Sequence, residues 1–267
     1  MTWWANAGAG VEAPPAPVAE PSPSPSPAPP SGGPRAVKWF EYMYGISGYG
    51  KTVRMRDRFR ARVAAGGRAV FVDTNGVNND LAGPRVKVCD VATMVAEGRA
   101  LAASGAGWGL VVQPGWGEDT ARIWRTLYAW GYILASVDEV QIYASSDSLD
   151  KDYRQMVQRG RNRCVDVDST CQAPTELHPR IRQNYDGVVS FRQGMPDYAD
   201  RLAVDYFRER QAAAWLLELP KLHYLRKTAT GPLTRGVIPC PVCGPLAWMA
   251  LHKAGCPIGQ DEGRCAR

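Results

Sequence analysis

Gly45-Ile46-Ser47-Gly48-Tyr49-Gly50-Lys51-Thr52 decides the reading of this chain. The run fits the phosphate-binding loop pattern G-x-x-x-x-G-K-[ST] without a gap or a substitution. Glycines at these positions let successive backbone N–H groups turn inward and form a cradle for phosphate oxygens. Lys51 then reaches the β- and γ-phosphates of ATP, and Thr52 places its hydroxyl on Mg²⁺. The flanks supply the context that this pattern requires: residues 37–44 read as a strand entering the loop, and residues 51–65 as a helix leaving it.

Outward from the loop, further strands are expected at 69–73, 86–89, 110–113, 133–138, 165–172 and 188–192. Helical patterns lie between several of them, notably at 120–130 and 149–159. Strands alternating with helices of this length predict an α/β fold, a mostly parallel central sheet flanked by helices. A long helix is expected at 197–217. A boundary near Leu219 separates this ATPase domain, residues 36–219, from a turn-rich hairpin and Cys-rich appendage at 220–267. Residues 1–35 are dominated by Pro, Ala, Ser and Gly, a composition that predicts a disordered arm acting as a spacer.

A nucleotide-hydrolysing site needs acidic side chains at the end of a buried strand near the loop. Ile133-Leu134-Ala135-Ser136-Val137-Asp138-Glu139 supplies them, with Ser136 interrupting the apolar run. Asp138 is expected to hold Mg²⁺, and Glu139 to polarise the water that attacks the γ-phosphate. The next strand ends Val167-Asp168-Ser169-Thr170-Cys171-Gln172, which places Gln172 to sense the γ-phosphate. Asp168 inside that strand requires a partner, either an Arg or a group on a neighbouring subunit. Arg159-Gly160-Arg161-Asn162-Arg163 precedes the strand. One of these guanidiniums, with Arg163 preferred and Arg161 next, is a candidate to stabilise transition-state charge at an adjacent subunit's γ-phosphate.

These segments together resemble the FtsK/HerA superfamily of ring-forming, DNA-pumping ATPases. The carrying residues are the loop at 45–52, Val137-Asp138-Glu139, the Arg run at 159–163 and Gln172. A further piece is Leu177-His178-Pro179-Arg180-Ile181-Arg182-Gln183-Asn184-Tyr185-Asp186, leading into Val188-Val189-Ser190-Phe191-Arg192. The resemblance covers residues 37–192 and looks most like the genome-packaging ATPases of tectivirus-like, membrane-containing phages. It implies a P-loop NTPase of the additional-strand, catalytic-Glu type that assembles as a hexameric ring around double-stranded DNA read without sequence preference. It also implies capsid or portal-vertex partners and a place in the host cytoplasm or at the virion packaging vertex. DNA pumping in plasmid transfer or chromosome segregation is the alternative within the superfamily. A small P-loop metabolite kinase and an ATP-regulated scaffold are the alternatives outside it.

The formal charge of +6 and pI near 9.0 permit a nucleic-acid partner without demonstrating one. Arg54, Arg58 and Arg62, at spacing four and joined by Arg56 and Arg60, form a basic stripe on the helix after the loop. It is read as a solvated outer face in preference to a DNA track. No secretion signal and no apolar stretch of about 18 residues is visible, so neither export nor a transmembrane span is expected. Among seven cysteines, Cys240-Pro241-Val242-Cys243-Gly244 has the shape of a zinc knuckle. His252 and Cys256 complete a C-x2-C-x8-H-x3-C candidate Zn²⁺ set, with Cys265 as an alternative ligand. Cys89, Cys164 and Cys171 read as buried thiols.

Overall fold

Nine strands join into one sheet in the computed structural model, which describes residues 39–115 and 117–239. The chain runs β1 (Phe40–Tyr44), α1 (Lys51–Ala64), β2 (Arg68–Val72), β3 (Val86–Cys89), α2 (Met94–Ala102), β4 (Trp108–Val112), α3 (Ala121–Trp130), β5 (Ile133–Val137) and α4 (Lys151–Arg159). It continues through β6 (Val165–Cys171), α5 (Pro179–Arg182), β7 (Gly187–Ser190), α6 (Pro196–Arg201), α7 (Ala212–Glu218), β8 (His223–Thr228) and β9 (Leu233–Val237). The strand order is β3-β4-β2-β5-β6-β1-β7-β8-β9. All pairings from β3 to β7 are parallel, and only β8 runs against the rest, antiparallel to β7 on one side and to β9 on the other. Each strand expected from the sequence is present with slightly different ends, and the fold is α/β with a mostly parallel sheet.

Alternation along the strands sorts the two faces. Phe40, Tyr42, Tyr44, Val70, Val72, Val165 and Val167 enter the larger apolar cluster with Trp124, Leu127, Tyr153 and Met156 from α3 and α4. The opposite face, with Met43, Phe71, Val111, Leu134 and Val189, packs on Met55, Phe59 and Val63 of α1. A period of two sends every second residue to the same side. In Val165-Asp166-Val167-Asp168 that rule sends both aspartates to the α1 face, where Glu41 of β1 sits in register with Asp168.

The arginine stripe answers those acids, so its reading as a solvated outer face is wrong. Arg58 Nη1 lies 2.7 Å from Glu41 Oε2, and its Nε lies 2.9 Å from Asp168 Oδ2. Arg54 adds a contact to Glu41 at 3.2 Å, Arg226 of β8 another at 3.0 Å, and Arg62 reaches Asp166 at 3.6 Å. Four residues of helix advance ~6 Å, and two residues of strand advance ~6.6 Å. Arginines at spacing four on α1 therefore match acids at spacing two on β6. Arg56 and Arg60 point the other way and share Asp80. The partner that Asp168 requires is thus Arg58 of its own chain.

Two further expectations change. The helix expected at 197–217 is broken: α6 passes into a π-helical turn at Leu202–Phe207, and Arg208 takes a left-handed φ of 55° before α7. The wider winding seats the Tyr206 ring 5.7 Å from Tyr44 and 5.4 Å from Tyr185. The hairpin beyond Leu219 continues the sheet, with Ser190 opposite Leu225. The arm at 1–35 and the cysteine candidates Cys240, Cys243, His252, Cys256 and Cys265 lie outside the described residues. No helix among the described residues is long and apolar enough to cross a membrane.

Burial pushes the Asp168 carboxyl from its ordinary 3.8 to about 7; Arg58 pulls it down and Glu41 pushes it further up. Neither of its oxygens receives an aligned hydrogen bond. Glu41, though also desolvated, is held below its usual value because Arg54, Arg58 and Arg226 together outweigh burial. A raised carboxylate pKa means that the folded state keeps a proton the unfolded chain releases, so the stabilisation is full below about pH 4 and is lost as pH rises through 7. Urea unfolding from pH 4 to pH 8 is expected to show stability falling across that window, and Asp168→Asn to reduce the fall. An unchanged slope in the variant contradicts the assignment.

Candidate active site

Position forces the loop's conformation. Tyr44 ends β1 and Lys51 opens α1, so six residues must reverse the chain over the sheet's edge. Gly45 has φ 141°, and a Cβ there would meet Phe191 Cβ at 2.9 Å; Gly50, capping α1, has φ 115°. The loop is held from three sides. Gly45 N–H donates to the Gln172 carbonyl at 3.3 Å, Ile46 N–H to the Arg192 carbonyl at 3.0 Å, and Leu222 N–H to the Tyr49 carbonyl at 3.1 Å. The first free N–H groups of a 14-residue helix thus open where the loop turns, a place suited to an anion.

Across from the loop, β5 delivers the acidic pair. Register carries Asp138 alongside Thr170 of β6, one step beyond the Val137–Ser169 pair. The Thr170 hydroxyl donates to Asp138 Oδ1 at 2.5 Å and accepts the Glu139 N–H at 2.9 Å. Glu139 itself takes a left-handed φ of 52°. Burial raises the Asp138 carboxyl above its ordinary value against the pull of the Thr170 hydroxyl, with Glu139 and Asp73 adding to the rise. Ser136, which interrupts the apolar run, pairs in register with Asp168 and belongs to the polar side facing α1.

Loop and acids face each other across a cavity of about 350 Å³. Ser47, Gly48, Gly50, Lys51 and Thr52 line one side, and Asp138, Glu139, Thr170 and Gln172 the other. Lys51 Nζ donates to the carbonyls of Gly45 and, at 3.1 Å, Ile46. No carboxylate among the described residues lies within ion-pair distance of it, and burial lowers its pKa despite the nearby Asp138 and Glu139 charges. A desolvated ammonium with one donor left, beside the N-terminus of α1, fits a polyphosphate. Thr52 and Asp138 line the same cavity, and a hydroxyl and a carboxylate oxygen are the hard donors that suit Mg²⁺.

The arginines are not brought to this cavity. Arg161 pairs with Asp186 at 2.8 Å and lies over the Phe40 ring. Arg163 donates to the carbonyls of Tyr128 at 3.3 Å and Ala129 at 2.7 Å, closing the end of α3. Both precede β6, at the opposite edge of the sheet from Gln172. Cys89 and Cys171 are buried and Cys164 half-buried, all as free thiols. Sequence reasoning missed Thr170, whose only signal was a hydroxyl two residues before Gln172. It also missed the rim formed by Asn75, Val77 and Asn78, and by Lys221 and Leu222. Asp73 fixes the first of these: it accepts from Asn78 N–H at 2.9 Å, Asn78 Nδ2 at 2.8 Å and Gln113 Nε2 at 3.0 Å.

No protein-family model matches the chain, and no curated protein matches it in sequence. Solved structures do match in fold. The genome packaging NTPase B204 from Sulfolobus turreted icosahedral virus 2, in complex with AMPPCP, superposes with a TM-score of 0.60 at 13% identity, over 75% of this chain and 98% of that one. The pCW3 conjugation coupling protein TcpA, with ATPgS, gives 0.51 at 14% identity, over 74% of this chain and 59% of that one. The bacterial conjugative coupling protein TrwB gives 0.51 at 12% identity, over 74% and 84%. At these identities the likeness is one of fold: the chain shares with these three proteins a mixed α/β architecture with a mostly parallel central sheet, consistent with a P-loop NTPase.

Proposed function

We propose that this chain is an ATP-hydrolysing motor that translocates double-stranded DNA, packaging a phage genome into a preformed capsid. The observation that carries the reading is the cavity itself, where one wall is a phosphate loop and the other an acidic pair. β6 stands between the loop strand β1 and the acid strand β5. That inserted strand supports the additional-strand, catalytic-Glu class of P-loop enzyme.

In this reading Lys51 binds the β- and γ-phosphates and the loop N–H groups cradle them. Thr52 and Asp138 would hold Mg²⁺, which when bound neutralises charge on the phosphate oxygens. Glu139 accepts a proton from the attacking water as its oxygen bonds to the γ-phosphorus and the bond to ADP breaks. Gln172, at the tip of β6, senses the γ-phosphate. A guanidinium from a neighbouring copy fits less simply, because Arg161 and Arg163 are both engaged within their own subunit. Arg159, exposed and without a partner among the described residues, is the member of that cluster free to reach another copy.

The packaging role rests on the FtsK/HerA motifs and the likeness to the viral NTPase, nearly all of whose length this chain spans. The coupling-protein likeness supports plasmid transfer as the second reading. Net charge now supports DNA binding less than it did, since Arg54, Arg58, Arg62 and Arg226 neutralise internal acids. A ring of six copies around DNA, a zinc-bound tail at 240–267 and docking at a capsid or portal vertex complete the proposal.

The purified chain is expected to hydrolyse ATP with Mg²⁺, and double-stranded DNA of any sequence to stimulate turnover, less so at high salt. Phosphate transfer to a small molecule in place of water, or turnover indifferent to DNA, contradicts the motor reading. Lys51→Ala is expected to abolish nucleotide binding. Glu139→Gln should bind ATP and lose about 10²- to 10⁴-fold in turnover; normal turnover by that variant removes Glu139 as the base.

A further inference from the structure

We propose that Thr170 is the positioning residue that sets both members of the acidic pair, an inference that rests on the hydrolytic reading of the site. Its hydroxyl carries one hydrogen and two lone pairs. The Glu139 N–H, 2.9 Å away, can only donate, and so occupies a lone pair. The hydroxyl hydrogen is then directed to Asp138 Oδ1 at 2.5 Å, a bond in which the carboxylate accepts. The polarity of this chain, from Glu139 N–H through Thr170 to Asp138, is fixed by chemistry at both ends.

Two consequences follow for the reacting groups. With Oδ1 engaged, Asp138 Oδ2 has no hydrogen-bond partner among the described residues and is the oxygen left for a ligand in the cavity that Thr52 shares. Glu139 occupies a left-handed conformation that non-glycine residues rarely adopt. The bond from its N–H to Thr170 holds that turn, and the turn brings Glu139 to the cavity wall. Thr170 is itself 1% exposed, in register with Met43 of β1 on one side and next to Asp138 on the other. The inserted strand β6 thereby does more than separate β1 from β5, because it carries the hydroxyl that aims the two carboxylates. The sequence places a second polar group, Gln172, two residues on, so Thr170 and Gln172 divide the tip of β6 between aiming the acids and meeting the phosphate.

The test compares Thr170→Val, which keeps the branched shape and removes the hydroxyl, with Thr170→Ser, which keeps the hydroxyl. In Thr170→Val, kcat for ATP is expected to fall about 10- to 100-fold, the scale seen when a group orienting a metal ligand is lost, with KM near that of the native chain. The Mg²⁺ concentration needed to tighten binding of a fluorescent ATP analogue is expected to rise. In the nucleotide-free protein, the Glu139 amide is expected to exchange faster with solvent by NMR. Thr170→Ser is expected to return all three readouts towards native values. Native turnover in Thr170→Val, or an unchanged Glu139 exchange rate, overturns the proposal. So does a loss of about 10-fold or more in kcat for Thr170→Ser, which would assign the effect to packing of the methyl group; this arm is read against the native chain and decides even where Thr170→Val does not fold. If the native chain itself does not hydrolyse ATP, the hydrolytic reading fails separately, and the amide-exchange comparison still decides whether Thr170 holds the turn at Glu139.

Discussion

Arg58 reaches down from α1 with two acids in its grasp, Glu41 on β1 and Asp168 on β6, both fully removed from solvent. Those strands are neighbours in the sheet, and α1 is the helix that the phosphate loop feeds. One guanidinium therefore ties the loop's helix to the loop's own strand and to the strand whose tip borders the acidic pair. Isolated buried charges are costly, and a buried pair is weak evidence for stability. Its value here is geometric. A helix held only by Met55, Phe59 and Val63 can slide and still bury apolar surface, whereas charges matched at fixed spacing allow one axial position.

That axial position matters because the cavity is built from pieces far apart in sequence. Lys51 and Thr52 belong to α1, Asp138 and Glu139 follow β5, and Thr170 and Gln172 belong to the end of β6. A shift of α1 by one residue would move Lys51 by ~1.5 Å, a displacement large enough to spoil a catalytic geometry. The outer side of the loop is secured as well. Leu222 N–H holds the Tyr49 carbonyl while Leu222 and Ile238 pack against Gly50. The β8–β9 hairpin is consequently part of the support for the nucleotide loop as well as the end of the sheet.

The loop, the acidic pair and Gln172 were legible in the sequence because each pairs a distinctive residue type with a strand end, and parallel strands align their ends. The orientation of the arginine stripe was not. Charge predicts exposure for a single Arg, and only the pairing of β1 with β6 shows that Glu41, Asp166 and Asp168 share the face beneath it. The signal was nevertheless present: acids alternating with valines in a core strand, and arginines repeating every fourth residue on the next helix over. The break in the expected helix at 197–217 was hidden for a different reason. Neither Gly nor Pro marks it, and the π-helical turn follows from fitting Tyr206 between Tyr44 and Tyr185. The hairpin's place in the sheet was hidden because β8 is half-buried along nearly its whole length and shows little alternation.

The claim that the Arg58–Asp168 contact is a coupled, buried pair is tested most directly by a double-mutant cycle in urea unfolding, with Arg58→Met, Asp168→Leu and the two together. At pH 8, above the raised Asp168 value of about 7, Arg58→Met leaves a buried carboxylate without its partner, and a loss of about 3–5 kcal/mol is expected for it. The double variant, with apolar groups in place of both members of the pair, should recover the part of that loss due to Asp168, while Glu41 keeps Arg54 and Arg226. Small and additive effects, with no recovery in the double variant, would contradict a pair that holds α1 in place.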